Sequence, residues 1–128
     1  RDEAAILAGG KVRSDTDLER AVGILHGMNV THVLIGLSGR GTYASSGVGA
    51  GAFVRPFPAV LSDVTGGGDA ALAGAICGLL DQQPLAEAAR WGQAAAALTV
   101  SVPETVSPTL SPATLRAMLK KRRKDRAA

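Results

Sequence analysis

Residues 63–74, Asp-Val-Thr-Gly-Gly-Gly-Asp-Ala-Ala-Leu-Ala-Gly, hold the combination best suited to do chemistry in this chain. Gly66, Gly67 and Gly68 leave the backbone free to bring its N–H groups close to an anion. The apolar, small-residue run that follows predicts a helix whose positive end meets the same spot. Such a turn makes a phosphate or oxyanion site. Asp69 stands at its mouth, where a carboxylate is repelled by a bound phosphate unless it has work of its own, such as taking a proton from an attacking hydroxyl. The plainer alternative is a helix start in which Asp69 caps unpaired amides and the glycines serve only the turn.

The elements that must position this turn are those of a small α/β protein. The chain has 128 residues, 46% of them hydrophobic, enough for one domain with its own core. Only 3% are aromatic, so the core must rest on aliphatic side chains and close backbone approach, which closely packed α/β layers supply. Cys77 is the sole cysteine, so no disulfide can form within the chain. There is no apolar run of the roughly 18 residues that a membrane span needs, and no signal-peptide pattern opens the sequence. Together these lead to the expectation of a cytoplasmic protein without membrane partners. The net charge of +3 is unevenly placed: residues 120–126 carry six basic groups and one Asp, so the rest of the chain is slightly acidic. A terminal block of like charge reads as a solvated, frayed end or, alternatively, as a nucleic-acid-binding tail.

Along the chain, residues 1–9 show a short helical pattern that closes at Gly9 and Gly10. Ser14 with Asp15 and Asp17 predicts an N-cap, and Leu18, Ala21, Val22, Leu25 and Met28 continue at helical spacing to near Asn29. His26 has no second ligand-type residue at metal spacing and reads as a solvent-facing or satisfied histidine. Residues 31–37 are a β-branched run that predicts a buried parallel strand. Ser38-Gly39-Arg40-Gly41 turns the chain into a strand over 42–45, and a further strand over 52–55 stops at Pro56 and Pro58. Residues 68–80 are apolar nearly all round, which predicts a central buried helix. A second helix starts after Pro84 and runs to about residue 100, with Trp91 either in the core or available to stack on a base. Ser111-Pro112 opens a last helix over residues 113 to about 121.

The order acidic residue, Val, Thr, three small residues, Asp, three residues, Ala-Gly resembles the C-terminal signature of the ribokinase-like (PfkB) carbohydrate kinases, commonly D-T-x-G-A-G-D. Gly67 takes the place of the usual Ala. The resemblance implies the C-terminal half of a ribokinase-like three-layer α/β/α sandwich, Rossmann-like in class. Residues 1–119 would form a partial kinase domain, its nucleotide-binding half, and residues 120–128 a basic tail. It further implies ATP-dependent phosphorylation of a sugar hydroxyl on a nucleoside or carbohydrate. Asp69 would be the catalytic base, and Gly66, Gly67 and Gly68 the anion hole. Nucleotide would lie against Ser38, Gly39, Gly41 and Gly68. Gly36-Leu37-Ser38 stands where the family has Thr-x-Gly.

Glu3, followed by Ala4, fits the end of the family's Asn-x-x-Glu-Ala motif and implies a water-mediated hold on magnesium. Asp63 and Thr65 imply a monovalent-cation loop for potassium. Residues 95–99 and 104–111 resemble pseudouridine kinases within the family. The sugar-binding strands of a whole family member have no counterpart here, so a missing N-terminal half or a second copy is expected as partner. Two other classes stand beside the kinase: a non-catalytic nucleotide-binding or assembly module, and a nucleic-acid binder acting through its basic tail.

Overall fold

The computed structural model describes residues 1–127. Its elements are α1 (Asp2–Ala8), α2 (Asp15–Gly27), β1 (Val33–Gly36), a 3-10 turn (Ser38–Arg40), β2 (Thr42–Ser45), β3 (Ala52–Val54), α3 (Gly67–Leu80), α4 (Leu85–Val100) and α5 (Pro112–Ala127). The capping box at the start of α2 forms as its sequence predicts: Ser14 Oγ accepts the Asp17 N–H at 3.1 Å and the Asp17 carboxylate accepts the Ser14 N–H at 3.1 Å. Asn29, at φ 63°, takes the left-handed conformation that stops this helix.

Strand alternation sorts the sheet into two covered faces. Val33, Ile35 and Tyr43 pack with Ala4, Leu18, Ala21, Val22 and Leu25 of α1 and α2. Leu34, Ala44 and Val54 face the opposite way, onto Leu85 and Ala89 of α4 and Leu79 of α3. Helices therefore lie on both sides of one sheet, as a three-layer α/β/α arrangement requires. A further cluster joins Phe57, Ala70, Trp91, Ala94 and Ala95 to Leu115 and Leu119 of α5.

Three expectations need correction. Residues 31–37 do not form a parallel strand within this sheet: β1 pairs antiparallel with β2, and β2 antiparallel with β3, in the order β1-β2-β3. The short link through Ser38–Arg40 is far too short for a parallel crossover, which needs a dozen or more residues. Second, α3 is not buried all round. Leu72, Ile76 and Leu80, spaced four apart on one stripe, are 57%, 48% and 80% exposed. Third, the basic run is not a frayed end, because α5 continues through it to Ala127. Arg116 meets Asp81 at 2.6 Å, Arg123 meets Glu87 at 2.8 Å, and the Arg122 guanidinium lies 4.3 Å from the centre of the Phe57 ring. Lys and Arg are good helix formers, so a basic run with such anchors extends the helix.

The small residues of α3 and α4 serve the contact between the two helices. A Cβ on Gly74 would lie 2.8 Å from the Trp91 carbonyl oxygen, and one on Gly92 would overlap the Ala71 carbonyl oxygen. The helices touch along this line, so no base-sized gap opens there. Trp91 is 4% exposed, a core residue and not a stacking platform.

Candidate functional site

The glycine turn is seated by its neighbours. Asp63 Oδ1 accepts the Thr65 N–H at 2.8 Å, closing a local turn. That hydrogen bond, with one from the Thr65 hydroxyl, holds the Asp63 carboxyl below its ordinary range. The amides of Ser62 and Asp63 both donate to the Val100 carbonyl, at 2.7 and 3.3 Å, so the last turn of α4 anchors the loop and satisfies one of its own terminal acceptors. Gly66 caps α3 at φ 79°, where a side chain is strained, and a Cβ there would run into the Thr105 carbonyl.

This geometry fixes which amides remain for a ligand. The Ala70 N–H reaches Gly66 O at 2.9 Å as the first intrahelical bond, and the Gly67 N–H is turned back to Val64 O at 3.2 Å. The N–H groups of Gly66, Gly68 and Asp69 have no acceptor among the described residues. They belong to the helix N-terminus, where orphan donors and the helix dipole favour an anion. A Cβ on Gly68 would meet nothing within 4 Å, so the space above the turn is open. Asp69 lies in the first turn of α3, exposed and without a hydrogen-bond or ion-pair partner among the described residues. The donor set and the open space fit a phosphate group, and the Asp69 carboxylate stands beside it as a free acceptor.

The other expected site residues fall in two groups. Ser38 sits at φ 51°, so it keeps the left-handed backbone that a glycine would favour, and its carbonyl accepts the Gly41 N–H at 3.0 Å. Gly39 and Gly41 belong to the same turn, tied back by the Leu37 N–H to Gly41 O at 2.8 Å. Glu3 is exposed on the first turn of α1, and the start of that helix lies near the end of β1, with the Arg1 nitrogen 3.5 Å from Gly36 O. No hydrogen bond or ion pair among the described residues joins Glu3, or the Ser38–Arg40 turn, to Asp69. Nor does any group of three or more His, Cys, Asp or Glu side chains there form a metal cage. A magnesium ion near Glu3 would therefore depend on water and on phosphate oxygens for most of its ligands. Asp63 Oδ2 and the Thr65 carbonyl are oxygen donors of the kind potassium takes.

Several residues of the site carry no sequence signal of their own. Thr105 walls the turn through its backbone, and Val100 anchors it through a carbonyl; any residue type could do either. Gln93 Nε2 donates to Thr42 Oγ1 at 2.7 Å in the interior, linking α4 to β2. Thr99 is fully buried and its hydroxyl has no hydrogen-bond partner among the described residues. His26, by contrast, is satisfied as read, with Nδ1 2.7 Å from Val30 O and Nε2 2.8 Å from Ser45 Oγ.

Residues 1–112 match the pfkB family of carbohydrate kinases, and the chain belongs to that family. Ribokinase from Haemophilus influenzae is 32% identical over 99 residues, covering 77% of this chain and 32% of that protein. Pseudouridine kinase from Escherichia coli is 29% identical over 111 residues, covering 87% of this chain and 36% of that one. Among solved structures, a candidate sugar kinase from Clostridium perfringens superposes with a TM-score of 0.86 at 29% identity, over 94% of this chain and 38% of its own. Arabidopsis thaliana ribokinase, complexed with ribose and ATP, gives 0.82 at 24% identity over 93% of this chain and 38% of its own, a likeness of fold. The fold is thus part of a ribokinase-like three-layer sandwich, and the chain spans about a third of the length of the curated relatives it matches.

Proposed function

We propose that the chain supplies the nucleotide-binding, phosphoryl-transfer end of an ATP-dependent kinase that acts on a sugar hydroxyl of a nucleoside. The observation that carries this reading is the turn itself: Gly66 pressed against Thr105, open space above Gly68, and an Asp69 with no partner among the described residues on the same helix start. Asp69 accepts the proton of the acceptor hydroxyl as its oxygen attacks phosphorus, a contribution of about 10²–10⁴-fold for a placed base. The amides of Gly66, Gly68 and Asp69 neutralise charge gathering on the transferred group, where loss of one donor costs on the order of 10²–10³-fold. The Ser38–Arg40 turn with Gly41 holds the nucleotide, Glu3 orients metal-bound water, and Asp63 with Thr65 holds a potassium ion beside the turn. Magnesium-bound ATP supplies the phosphoryl group and the leaving group.

The nucleoside class is favoured by the likeness to pseudouridine kinase over 87% of this chain. The exposed stripe of Leu72, Ile76 and Leu80 on the helix that carries Asp69 favours a further polypeptide, which brings the acceptor-binding surface. The test is phosphate transfer from labelled ATP, in a chain joined to the remaining part of a pfkB kinase, with pseudouridine, uridine and ribose offered in parallel. Transfer to pseudouridine above the other two is the expected result. Transfer to free ribose alone would replace the nucleoside by a simple sugar, and no transfer to any acceptor would contradict the kinase reading.

A further inference from the structure

One side of α2 faces the sheet across an open pocket of about 360 Å³. Glu19, Val22, Gly23 and His26 stand at the spacing of three, four and seven that shares one side of a helix. Opposite them are Tyr43 and Ser45, two apart on β2 and so on one face, with Phe53 of β3 paired across from Tyr43. The Tyr43 and Phe53 rings meet edge to face, their centres 4.8 Å apart. The strap that joins β2 to β3 completes the lining: a Cβ on Gly47 would lie 3.2 Å from the His26 ring, and one on Gly51 would run into the Tyr43 hydroxyl. Gly23 leaves the gap unfilled, since a Cβ there meets nothing within 4 Å. None of residues 38–41 or 63–69 lines this pocket, and its Ser45 pairs with Val33, at the end of β1 remote from the Ser38–Arg40 turn.

We propose that this pocket binds a small organic cation, a protonated amine carried on an apolar body with a second polar group. Tyr43 is 4% exposed, yet its hydroxyl makes no hydrogen bond among the described residues. A tyrosine buried to that degree normally finds a partner, and here the pocket is where one can come from. The sign of the ligand follows from the other side chains. Glu19 is the one carboxylate in a lining that holds no Lys or Arg, and it forms no ion pair among the described residues. His26 is committed on both nitrogens: Nδ1 donates to Val30 O at 2.7 Å, and in the neutral ring Nε2 accepts the Ser45 hydroxyl at 2.8 Å. Arg40, whose guanidinium lies 5.7 Å from the Phe53 ring centre, is ion-paired with Asp15 at 2.9 Å. An ammonium group beside Glu19 is therefore attracted, and an anion there is repelled. The apolar body rests on Val22 and on Phe53, whose half-exposed ring also favours a cation. The second polar group satisfies the Tyr43 hydroxyl.

Three probes of one shape and different charge test this: tyramine, its neutral alcohol analogue tyrosol, and the anion 4-hydroxyphenylacetate. Each is titrated into the full chain at low salt and followed by amide shifts in NMR. Tyramine is expected to bind about tenfold tighter than tyrosol, the size of one charge-assisted contact. 4-Hydroxyphenylacetate should bind more weakly than either, and the largest tyramine shifts should fall in residues 19–26 and 43–53. Glu19→Gln should bring tyramine to the affinity of tyrosol. Tyr43→Phe should weaken tyramine about fivefold and leave phenethylamine, which lacks the phenolic hydroxyl, within about twofold. Gly23→Leu, whose side chain has open space to enter, should remove binding while the thermal midpoint holds. Equal affinity for the three charge forms overturns the proposal. So does wild-type tyramine affinity in Glu19→Gln or in Gly23→Leu, and so do tyramine shifts centred on residues 63–69.

Discussion

The carbonyl oxygen of Thr105 occupies the place that a Cβ on Gly66 would need. A loop beyond α4 thus presses on the residue that caps α3, and Gly66 is held at φ 79° with no room for a side chain. Gly66→Ala combines left-handed strain with overpacking, so we expect a loss of about 2–4 kcal/mol in urea unfolding. A loss under about 0.5 kcal/mol, the range of an ordinary surface change, would show that the turn is free of Thr105.

Acid should loosen two turns together. Asp17, bonded by the amides of Arg13 and Ser14, and Asp63, bonded by the amide of Thr65, both have carboxyl groups held below their ordinary value of 3.8. A carboxylate with a depressed folded-state pKa adds stability that is present above its unfolded value and disappears as pH falls through the folded one. Stability should therefore decline as pH drops below about 4, and Asp17→Asn and Asp63→Asn should each reduce that decline. Carboxyl carbon shifts followed by NMR check the assignment directly, with titration midpoints below 3.8 for both groups. Midpoints at or above that value would contradict the bonded turns.

The C-terminal helix should contribute to stability along its whole length. Leu115 and Leu119 are 2% and 4% exposed, and the basic residues that follow reach Glu87 and Phe57. Removing residues 120–128 should cost about 1–2 kcal/mol through the lost ion pair and ring contact. Leu119→Ala should cost about 2–4 kcal/mol. Thermal melting measures both, and an unchanged midpoint on truncation would return the basic run to the status of a solvated end.

The sequence makes some of this structure plain and hides the rest for physical reasons. The Asp63 to Gly74 run is legible because glycines, an acid and a small-residue helix each restrict the backbone locally. The helix α4 is legible from Pro84 and its alanine-rich period. Strand direction in β1 is not carried by side-chain type, since a β-branched run suits either pairing; the few residues of the Ser38–Arg40 link decide it. The exposed stripe on α3 is hidden because Leu and Ile look the same whether or not a neighbour covers them. The length of α5 is hidden because charge suggests solvation even where helix propensity and two buried leucines favour order. The contacts of Thr105 and Val100 with the turn are invisible because backbone atoms make them.

Asp69 is proposed to act as a base beside a phosphate-binding turn. The most direct test of that role is Asp69→Asn in this chain joined to the remaining part of a pfkB kinase, with turnover and ATP affinity measured separately. We expect kcat to fall by about 10²–10⁴-fold while ATP binding stays within a few-fold, because the amides of Gly66 and Gly68 are untouched. Unchanged turnover would contradict it.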